Sequence, residues 1–321
     1  MMSDNTSREW VLIGDTAIRK RTMSALARLE GRRLFKSKSV LVLFAFLMFS
    51  SWRIGTDVDV LDGTAATRSS YYMILTKPET VDAVYAIFGF VDTTWHFHSF
   101  VFLIPIVGLL LGYATIVNLR TKGQIRTMLS LPCSRQEILL GMSLGRIAVF
   151  VLALVVALAV GWIGITNNFE TASVWSYLAF SASTVAYGLA WLSIGIALSV
   201  SFSTARRVSM VVTFVIVNVF VGLQSYILGL VGVFPSGMIL DPTQAYLVLV
   251  AAPHEEMIPK LYQIAVGQVD SFGQGFMSTG MVSLDPPVYF SWPIAGLVLL
   301  LWIVCPLLYA WKRIEGMEVD Q

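Results

Sequence analysis

The chain has 321 residues, of which 56% are hydrophobic and 13% are charged, and its mean hydropathy is +0.73. An apolar content this high at this length excludes an ordinary soluble protein, because too few polar side chains remain to cover its surface. The composition predicts a polytopic membrane protein.

Residues 1–38 form a basic arm that holds nine lysines and arginines. The arm lacks the apolar core and cleavage site of a secretory signal, so we expect the first membrane helix to act as an uncleaved targeting signal. Within the arm, apolar residues recur at helical spacing opposite a row of arginines, namely Ile18, Ala25, Leu26 and Leu29 against Arg21, Arg28 and Arg32. This pattern predicts an amphipathic interfacial helix on the inner membrane surface, bound to anionic lipid. A solvated basic arm is the alternative.

Six apolar runs follow the arm. Lipid offers exposed backbone groups no hydrogen-bond partner, so each run is expected to be a helix and the fold to be all-α. The first run is the shortest and covers only about 24 Å, whereas the other five are long enough to cross a bilayer. A transmembrane domain, residues 39–311, is therefore predicted to contain six spans at 39–54, 97–118, 138–165, 175–202, 208–233 and 291–311.

The positions of lysine and arginine predict the orientation, because basic loops are retained in the cytoplasm. With six spans both termini face the same side. Placing them inside puts 18 basic residues in the cytoplasm and four outside, while the acidic residues divide as 8 inside and 12 outside. The sequence predicts a multi-pass protein of the cell membrane with cytoplasmic termini and a short cytoplasmic tail at 312–321.

Two predicted outer segments, 55–96 and 234–290, are too long to be simple turns. We expect them to hold short helices and to form a modest extracellular cap. All three histidines fall on this side, at His96, His98 and His254. The sequence after His254 lacks the second histidine of the HExxH motif, so no zinc protease is indicated. Structural histidines are favoured over metal ligands, and no metal site is expected.

The inner segment, residues 119–137, links the second and third predicted spans. An apolar face lies beside Arg126 and comprises Ile125, Met128, Leu129 and Leu131. Pro132 ends this short helix, and Ser134 is placed to cap the next one over Gln136 and Glu137. A cytoplasmic amphipathic helix accounts for the face, the break and the new cap together. An incidental interfacial helix would account for the face alone.

Small and polar residues form stripes on two later spans. The fourth span carries Ser181, Thr184, Gly188, Gly195 and Ser199, and one face of the fifth carries Asn218, Gly222, Ser225 and Gly229. Polar groups at that depth rarely face lipid. Close helix packing is the simpler interpretation. The more specific interpretation is that the stripe on the fifth span lines a transport path or an interface between subunits, called the seam below.

No GxxxxGK[ST] motif occurs, so the chain has no phosphate loop with which to hydrolyse ATP. The stretch from Gly141 to Gly145 matches the GxSxG pattern of serine hydrolases around Ser143, but it begins a membrane helix instead of following a strand. These glycines, like Gly108 and Gly112, also have the GxxxG spacing that favours close helix packing. We expect no enzymatic site and no cofactor in this chain.

Several sequence features occur together: the basic entry, the six spans, LGYATIV before RTKGQIRTMLSLPCSRQEILLGMSLGR, DPTQAYLVL in the last outer segment, and WKRIE at the end. With them the chain resembles, over nearly its whole length, the ABC-2 type permeases, the membrane subunits of ATP-binding-cassette exporters. The residues that match the family's central motif are Gly123, Leu129, Ser130, Pro132, Ser134, Arg135 and Gly141. Leu119 and Thr121 stand where the family commonly has acids, and Met142 replaces its usual lysine.

The resemblance implies a permease subunit of an exporter that pairs with a second permease copy, as a homodimer or a mixed pair. A separate ATPase subunit would bind ATP and Mg and contact this chain through Gly123, Arg126, Met128, Leu129, Pro132, Ser134 and Arg135. No nucleic-acid partner is expected. An ion-coupled secondary carrier is the alternative, disfavoured because no Asp or Glu lies inside the predicted spans. A membrane hydrolase built on Ser143 is less favoured still.

Overall fold

A computed structural model describes residues 21–56, 83–91, 99–121, 134–169, 172–221, 240–262 and 285–316. All regular structure in these ranges is helical, so the predicted all-α polytopic fold is confirmed. The reason is the one expected from the sequence, since a helix satisfies its backbone hydrogen bonds within one apolar segment.

Within the described ranges we number ten helices in chain order. They are α1 (21–35), α2 (Lys38–Gly55), α3 (Ala83–Phe90), α4 (Phe100–Thr121), α5 (Arg135–Asn168), α6 (Val174–Ser201), α7 (Ala205–Val221), α8 (Pro242–Ala251), α9 (257–262) and α10 (Trp292–Glu315). The bounds of α1, α7 and α9 refer to their described residues. A single 3-10 turn, Val288–Phe290, precedes α10.

Five of these helices are long and apolar enough to cross a membrane, namely α2, α4, α5, α6 and α10. The longest is α5, whose 34 residues extend about 51 Å and so exceed the thickness of a hydrocarbon core. The fifth predicted span, 208–233, begins within α7, which is described for 17 residues. Its continuation at 222–233 lies outside the described residues, so the six-span count stays a prediction.

Helices α4 and α6 pack closely against each other at glycines. A Cβ added at Gly112 would lie 2.5 Å from the carbonyl oxygen of Leu192 and 2.7 Å from the Cα of Gly195. One turn earlier, a Cβ at Gly108 would lie 3.1 Å from the backbone nitrogen of Leu192. The close helix packing predicted from the GxxxG spacing is therefore present, because the backbones of α4 and α6 meet where the glycines have no side chains.

A proline in α4 is accommodated by a hydrogen bond from α6. Pro105 lies inside the helix and has no N–H to donate to the carbonyl of Val101. The hydroxyl of Tyr187 donates to that carbonyl at 3.0 Å, and Tyr187 is itself fully buried. A neighbouring side chain thus satisfies a backbone group that the helix leaves open.

A second close contact joins α2 to α5. A Cβ added at Gly55 would lie 2.6 Å from the carbonyl oxygen of Gly161, and one at Gly164 would lie 3.0 Å from the backbone of Gly55. Nearby, the hydroxyl of Ser51 donates to the carbonyl of Ala157 at 2.6 Å. Helices α2 and α5, the first and third predicted spans, are therefore joined by close contact between their backbones and by one interhelical hydrogen bond.

The short helix α8 enters the bundle to about half its depth. The indole N–H of Trp302, near the middle of α10, donates to the carbonyl of Leu240 at 2.7 Å. At the middle of α6, Tyr187 stacks on Tyr246 with ring centroids 4.4 Å apart. The side chain of Asp241 caps α8 by accepting from the N–H of Thr243. Residues 240–251 therefore lie between the spans. The short helices expected in segment 234–290 are present as α8 and α9, and the predicted extracellular cap stays a prediction.

Two matched glycine substitutions test the packing of α4 on α6. We expect Gly112→Ala to lower the unfolding free energy by about 1–3 kcal/mol, because the added methyl group meets backbone that cannot move aside. Gly296→Ala in α10 is the control, since a Cβ there would meet nothing within 4 Å. Thermal unfolding of the purified chain in detergent measures both. Equal melting temperatures for the two variants would contradict the assignment of Gly112 to the contact.

Candidate functional site

The beginning of α5 has the cap that the sequence predicts. The hydroxyl of Ser134 accepts from the N–H of Glu137 at 3.2 Å, and the Glu137 carboxylate accepts from the N–H of Ser134 at 2.9 Å. Two backbone donors that the helix cannot satisfy are thereby paired in a capping box. The carboxylate also lies in the first turn, where the helix dipole favours negative charge. The last residues of the inner segment are consequently the capped first turn of α5.

Of the predicted coupling residues, the structure describes two, Ser134 and Arg135. The other five lie in residues 122–133, outside the described residues: Gly123, Arg126, Met128, Leu129 and Pro132. Next to Arg135, the amide of Gln136 donates to the carboxylate of Glu315 at the end of α10. The beginning of α5 and the end of the last helix therefore meet beside the inner segment.

Helix α1 lies against the first turns of α5 at the two glycines of the GxSxG stretch. A Cβ added at Gly145 would lie 2.5 Å from the carbonyl oxygen of Ala27, and one at Gly141 would lie 2.8 Å from the Cβ of Leu26. Ser143 is buried as the ninth residue of α5, with helix on both sides. The strand-to-helix turn of a hydrolase is therefore missing, and the packing interpretation of these glycines is confirmed.

Helix α1 packs on the protein through a face that the sequence analysis did not predict, and its predicted contact with the membrane surface stays a prediction. Glu30 and Leu34 are buried, and Leu26 is half-buried against the core. Ala25 and Leu29, expected on the same apolar face as Leu26, are exposed. The predicted basic row lies on the exposed side, at Arg21, Arg28 and Arg32. The helix is amphipathic, but a buried carboxylate instead of a leucine lies at the centre of its packed face.

That carboxylate forms an ion pair with an arginine of α5. One guanidinium nitrogen of Arg146 lies 2.5 Å from Glu30 Oε1, and the two residues are 3% and 1% exposed. A second arginine, Arg33, approaches the other Glu30 oxygen at 3.8 Å from a more exposed position. Burying two charges is costly unless they are paired and hydrogen-bonded, and these satisfy both conditions.

Arg146 also donates to the backbone of α4. Its guanidinium contacts the carbonyl oxygen of Leu111 and, at 3.2 Å, that of Ala114. Because the guanidinium has five N–H donors in a rigid fork, one side chain can serve a carboxylate and two carbonyls together. Arg146 thereby joins α1, α5 and α4 a few residues before the inner segment begins.

From the opposite side, α6 contacts the same part of α4. The Ser199 hydroxyl accepts from the N–H of Ile116 at 2.7 Å and from the N–H of Val117 at 3.1 Å. The Thr115 hydroxyl donates to the carbonyl of Gly112 at 2.6 Å. Ser199 belongs to the predicted small-residue stripe of the fourth span, which includes Thr184, Gly188 and Gly195, all buried here. The stripe faces protein, as the packing interpretation requires.

The predicted seam on the fifth span is described at one residue. Asn218 lies in α7 and is half-buried. The other three members, Gly222, Ser225 and Gly229, are outside the described residues. The same applies to His96 and His98, whereas His254 is buried with its ring 6.0 Å from that of Phe88. The seam stays a prediction.

Sequence reasoning missed the Glu30–Arg146 pair. Arg146 was counted among the cytoplasmic basic residues although it falls inside the third predicted span, 138–165. A charged residue within a span marks a functional or structural site by default, so the position of Arg146 is the signal in the sequence that points to a buried partner. Glu30 carried a weaker signal, as a lone acid among the arginines of an amphipathic helix.

The sequence model of one protein family matches residues 24–318, and its description is ABC-2 family transporter protein. The match begins within α1, includes the inner segment and extends past the end of α10. The chain belongs to this family. ABC-2 family transporter proteins are membrane components of ABC transporters and lack an ATPase site of their own. A comparison with curated proteins finds no match.

Two positions that depart from the ABC-2 motif can be placed in this structure. Leu119, where the family commonly has an acid, is fully buried near the end of α4. Met142, which replaces the usual lysine, is 2% exposed in α5. Both substitutions place apolar side chains in the core, where charged ones would need partners.

Two arginine substitutions test the buried pair. We expect Arg146→Ala to lower the unfolding free energy by about 3–5 kcal/mol, since it leaves the Glu30 carboxylate buried without its main partner. Arg33→Ala is the matched control and should cost less than about 1 kcal/mol, because its ion pair is long and half-exposed. Denaturation of the purified chain in detergent measures both. Similar losses for the two variants would show that the Arg146 pair adds nothing beyond a surface contact.

Proposed function

We propose that this ABC-2 family member is the permease subunit of an ATP-driven exporter and that it couples to a separate ATPase subunit through residues 119–137. The family match over residues 24–318 is the observation that carries the proposal. The sequence has no phosphate loop, so ATP and Mg would be bound by the partner chain. Closure of the ATPase subunits would then rock the permease halves and pass the substrate outward.

The described ends of the inner segment support a coupling role. Its first residues continue α4, whose backbone is held there by Arg146 and Ser199. Its last residues are the capped beginning of α5, fastened to α10 through Gln136. A segment whose two ends are joined to different parts of the bundle can transmit a partner's movement to both. A freely hinged loop could not do this.

The remaining parts of the proposal concern orientation and partners. Both termini and the inner segment are placed in the cytoplasm of a cell-membrane protein, on the distribution of basic residues. The exposed arginines of α1, Arg21, Arg28 and Arg32, would bind anionic lipid at the inner surface. A second permease copy would complete the transport path, with Asn218, Gly222, Ser225 and Gly229 along the seam.

Substitutions in the inner segment test the coupling. We expect Met128→Ala with Leu129→Ala to reduce transport-linked ATP turnover strongly, because desolvated apolar anchors dominate interface energies. Arg126→Ala is the control in the same segment, and its effect should be smaller, since exposed rim charges contribute little. The ATPase subunit should co-purify with the wild-type chain in mild detergent. ATPase stimulation is then measured in reconstituted membranes at matched protein amounts.

Two outcomes would contradict this assignment. If the double variant stimulates ATP hydrolysis as well as the wild type does, the segment is only an interfacial anchor. Purification of this polypeptide alone with full transport retained would instead favour the secondary carrier. Membrane insertion of the double variant, checked by protease protection, separates lost coupling from lost folding.

Single-cysteine labelling tests the orientation, in a chain whose Cys133 and Cys305 are replaced by serine. We expect Gln124→Cys to react with a membrane-impermeant maleimide only after the cells are opened. Val288→Cys should react in intact cells, since Val288 is 85% exposed beside the start of α10. Reaction at position 124 from outside intact cells would reverse the topology.

A further inference from the structure

The inner end of α10 lies between the start of α5 and the end of α6. The amide of Gln136, in the first turn of α5, donates to the carboxylate of Glu315 in the last turn of α10. Further back along α10, the Tyr309 hydroxyl accepts from the hydroxyl of Ser201, the last residue of α6, at 3.4 Å. The last turn of α10 therefore lies beside the residues at which the inner segment ends.

That last turn has one buried face and one charged face. Ala310 and Ile314, four residues apart, are buried against the bundle. Lys312, Arg313 and Glu315 are exposed, and we call these three residues the α10 patch. A helix needs about 20 residues to cross the hydrocarbon core, and α10 has that length before the patch begins. The patch therefore lies beyond the apolar part of the helix.

A partner that binds the inner segment needs more surface than the segment offers. A stable protein–protein interface takes about 20–30 residues from each side. The inner segment has fewer than 20 residues, and an amphipathic helix presents only one face to a partner. The footprint of the partner must therefore extend to neighbouring residues. Glu315 is such a neighbour, since it is hydrogen-bonded to Gln136 of the segment itself.

We propose that the α10 patch is a second contact for the ATPase subunit and that it meets an acidic surface of that subunit. This inference rests on the proposed function, which assigns the ATPase subunit to residues 119–137. Two adjacent cations at an exposed helix end attract carboxylates from a distance and guide association. An anionic lipid surface would attract the same cations but repel Glu315, whereas a protein surface can offer each charge a partner of its own.

The patch and the inner segment are expected to act on different steps of binding. Exposed charges steer the encounter of two proteins, so their loss lowers the association rate and the dependence of that rate on salt. Buried apolar anchors hold a complex together once it has formed, so the loss of Met128 and Leu129 raises the dissociation rate. Rate measurements therefore separate the charged patch from the apolar anchor.

Binding kinetics test the patch, with the full chain in nanodiscs of neutral lipid and the purified ATPase subunit as the probe. We expect Lys312→Glu with Arg313→Glu to lower the association rate about tenfold at low ionic strength and to leave the dissociation rate nearly unchanged. The difference from the wild type should shrink as the salt concentration rises from about 0.05 M to about 0.5 M, since salt screens exposed charges.

Lys36→Glu with Lys38→Glu is the matched control. Both lysines are exposed at the connection between α1 and α2, and neither belongs to α10 or to the inner segment. This variant changes the net charge by the same amount and should associate within about twofold of the wild-type rate, since distant charges are screened. The melting temperature of each variant alone shows whether it is folded. Lys312→Gln with Arg313→Gln is a milder second variant, which should lower the association rate by a smaller factor.

The outcomes separate this inference from the proposed function. Unchanged association of the folded α10 variants, or an equal loss in the control, would overturn the patch. If Met128→Ala with Leu129→Ala still raises the dissociation rate in the same assay, the proposed coupling segment stands without the patch. An association rate that falls only in nanodiscs containing anionic lipid would assign the patch to the membrane instead. If no ATPase subunit binds the wild-type chain, the proposed function fails together with the patch.

Discussion

The end of the bundle next to the inner segment depends on one buried cation. The Arg146 guanidinium bonds to a carboxylate of α1 and to two carbonyls of α4, while its own backbone belongs to α5. A cation at this position is expensive unless it is paired and hydrogen-bonded, and both terminal nitrogens of Arg146 have acceptors, while its Nε has none among the described residues. The hydrogen bonds of Arg146 therefore hold α1, α4 and α5 in one arrangement. Displacing any one of these helices would leave polar groups unpaired in the core.

Glycine determines how closely the other helices can pack around this point. Lipid provides no hydrophobic driving force between spans, so their association relies on close backbone approach and on interhelical hydrogen bonds. The Gly112–Gly195 contact brings α4 and α6 near enough for Ser199 to reach the backbone of α4. The Gly145 contact likewise allows α1 to lie on α5 with Glu30 beside Arg146. Small residues and polar bonds thus act together at both contacts.

Polar groups elsewhere in the bundle follow the same rule. Pro105 deprives one carbonyl of its partner, and Tyr187 supplies the missing donor. The Tyr187 hydroxyl also lies 3.2 Å from the Thr243 hydroxyl. The side chain that satisfies the open carbonyl of α4 therefore also contacts α8. Because α8 is only ten residues long, it cannot cross the membrane and must satisfy its ends through such contacts. The Asp241 side chain accepts from the N–H of Thr243 at the start of α8, and the stacked Tyr187 and Tyr246 rings pack α8 against α6.

What the sequence by itself determined was local: apolar runs long enough to be spans, the Ser134 cap, and glycine spacing that requires close packing. Each follows from residues within one or two turns of one another, and each is present in the structure. The partner of each contact was decided by tertiary structure alone. Glu30 and Arg146 are 116 positions apart, and Ser199 meets Ile116 across 83. Helical periodicity states which residues share a face but not which helix lies opposite that face. The buried pair, the contact of Ser199 with α4 and the position of α8 therefore required the assembled bundle.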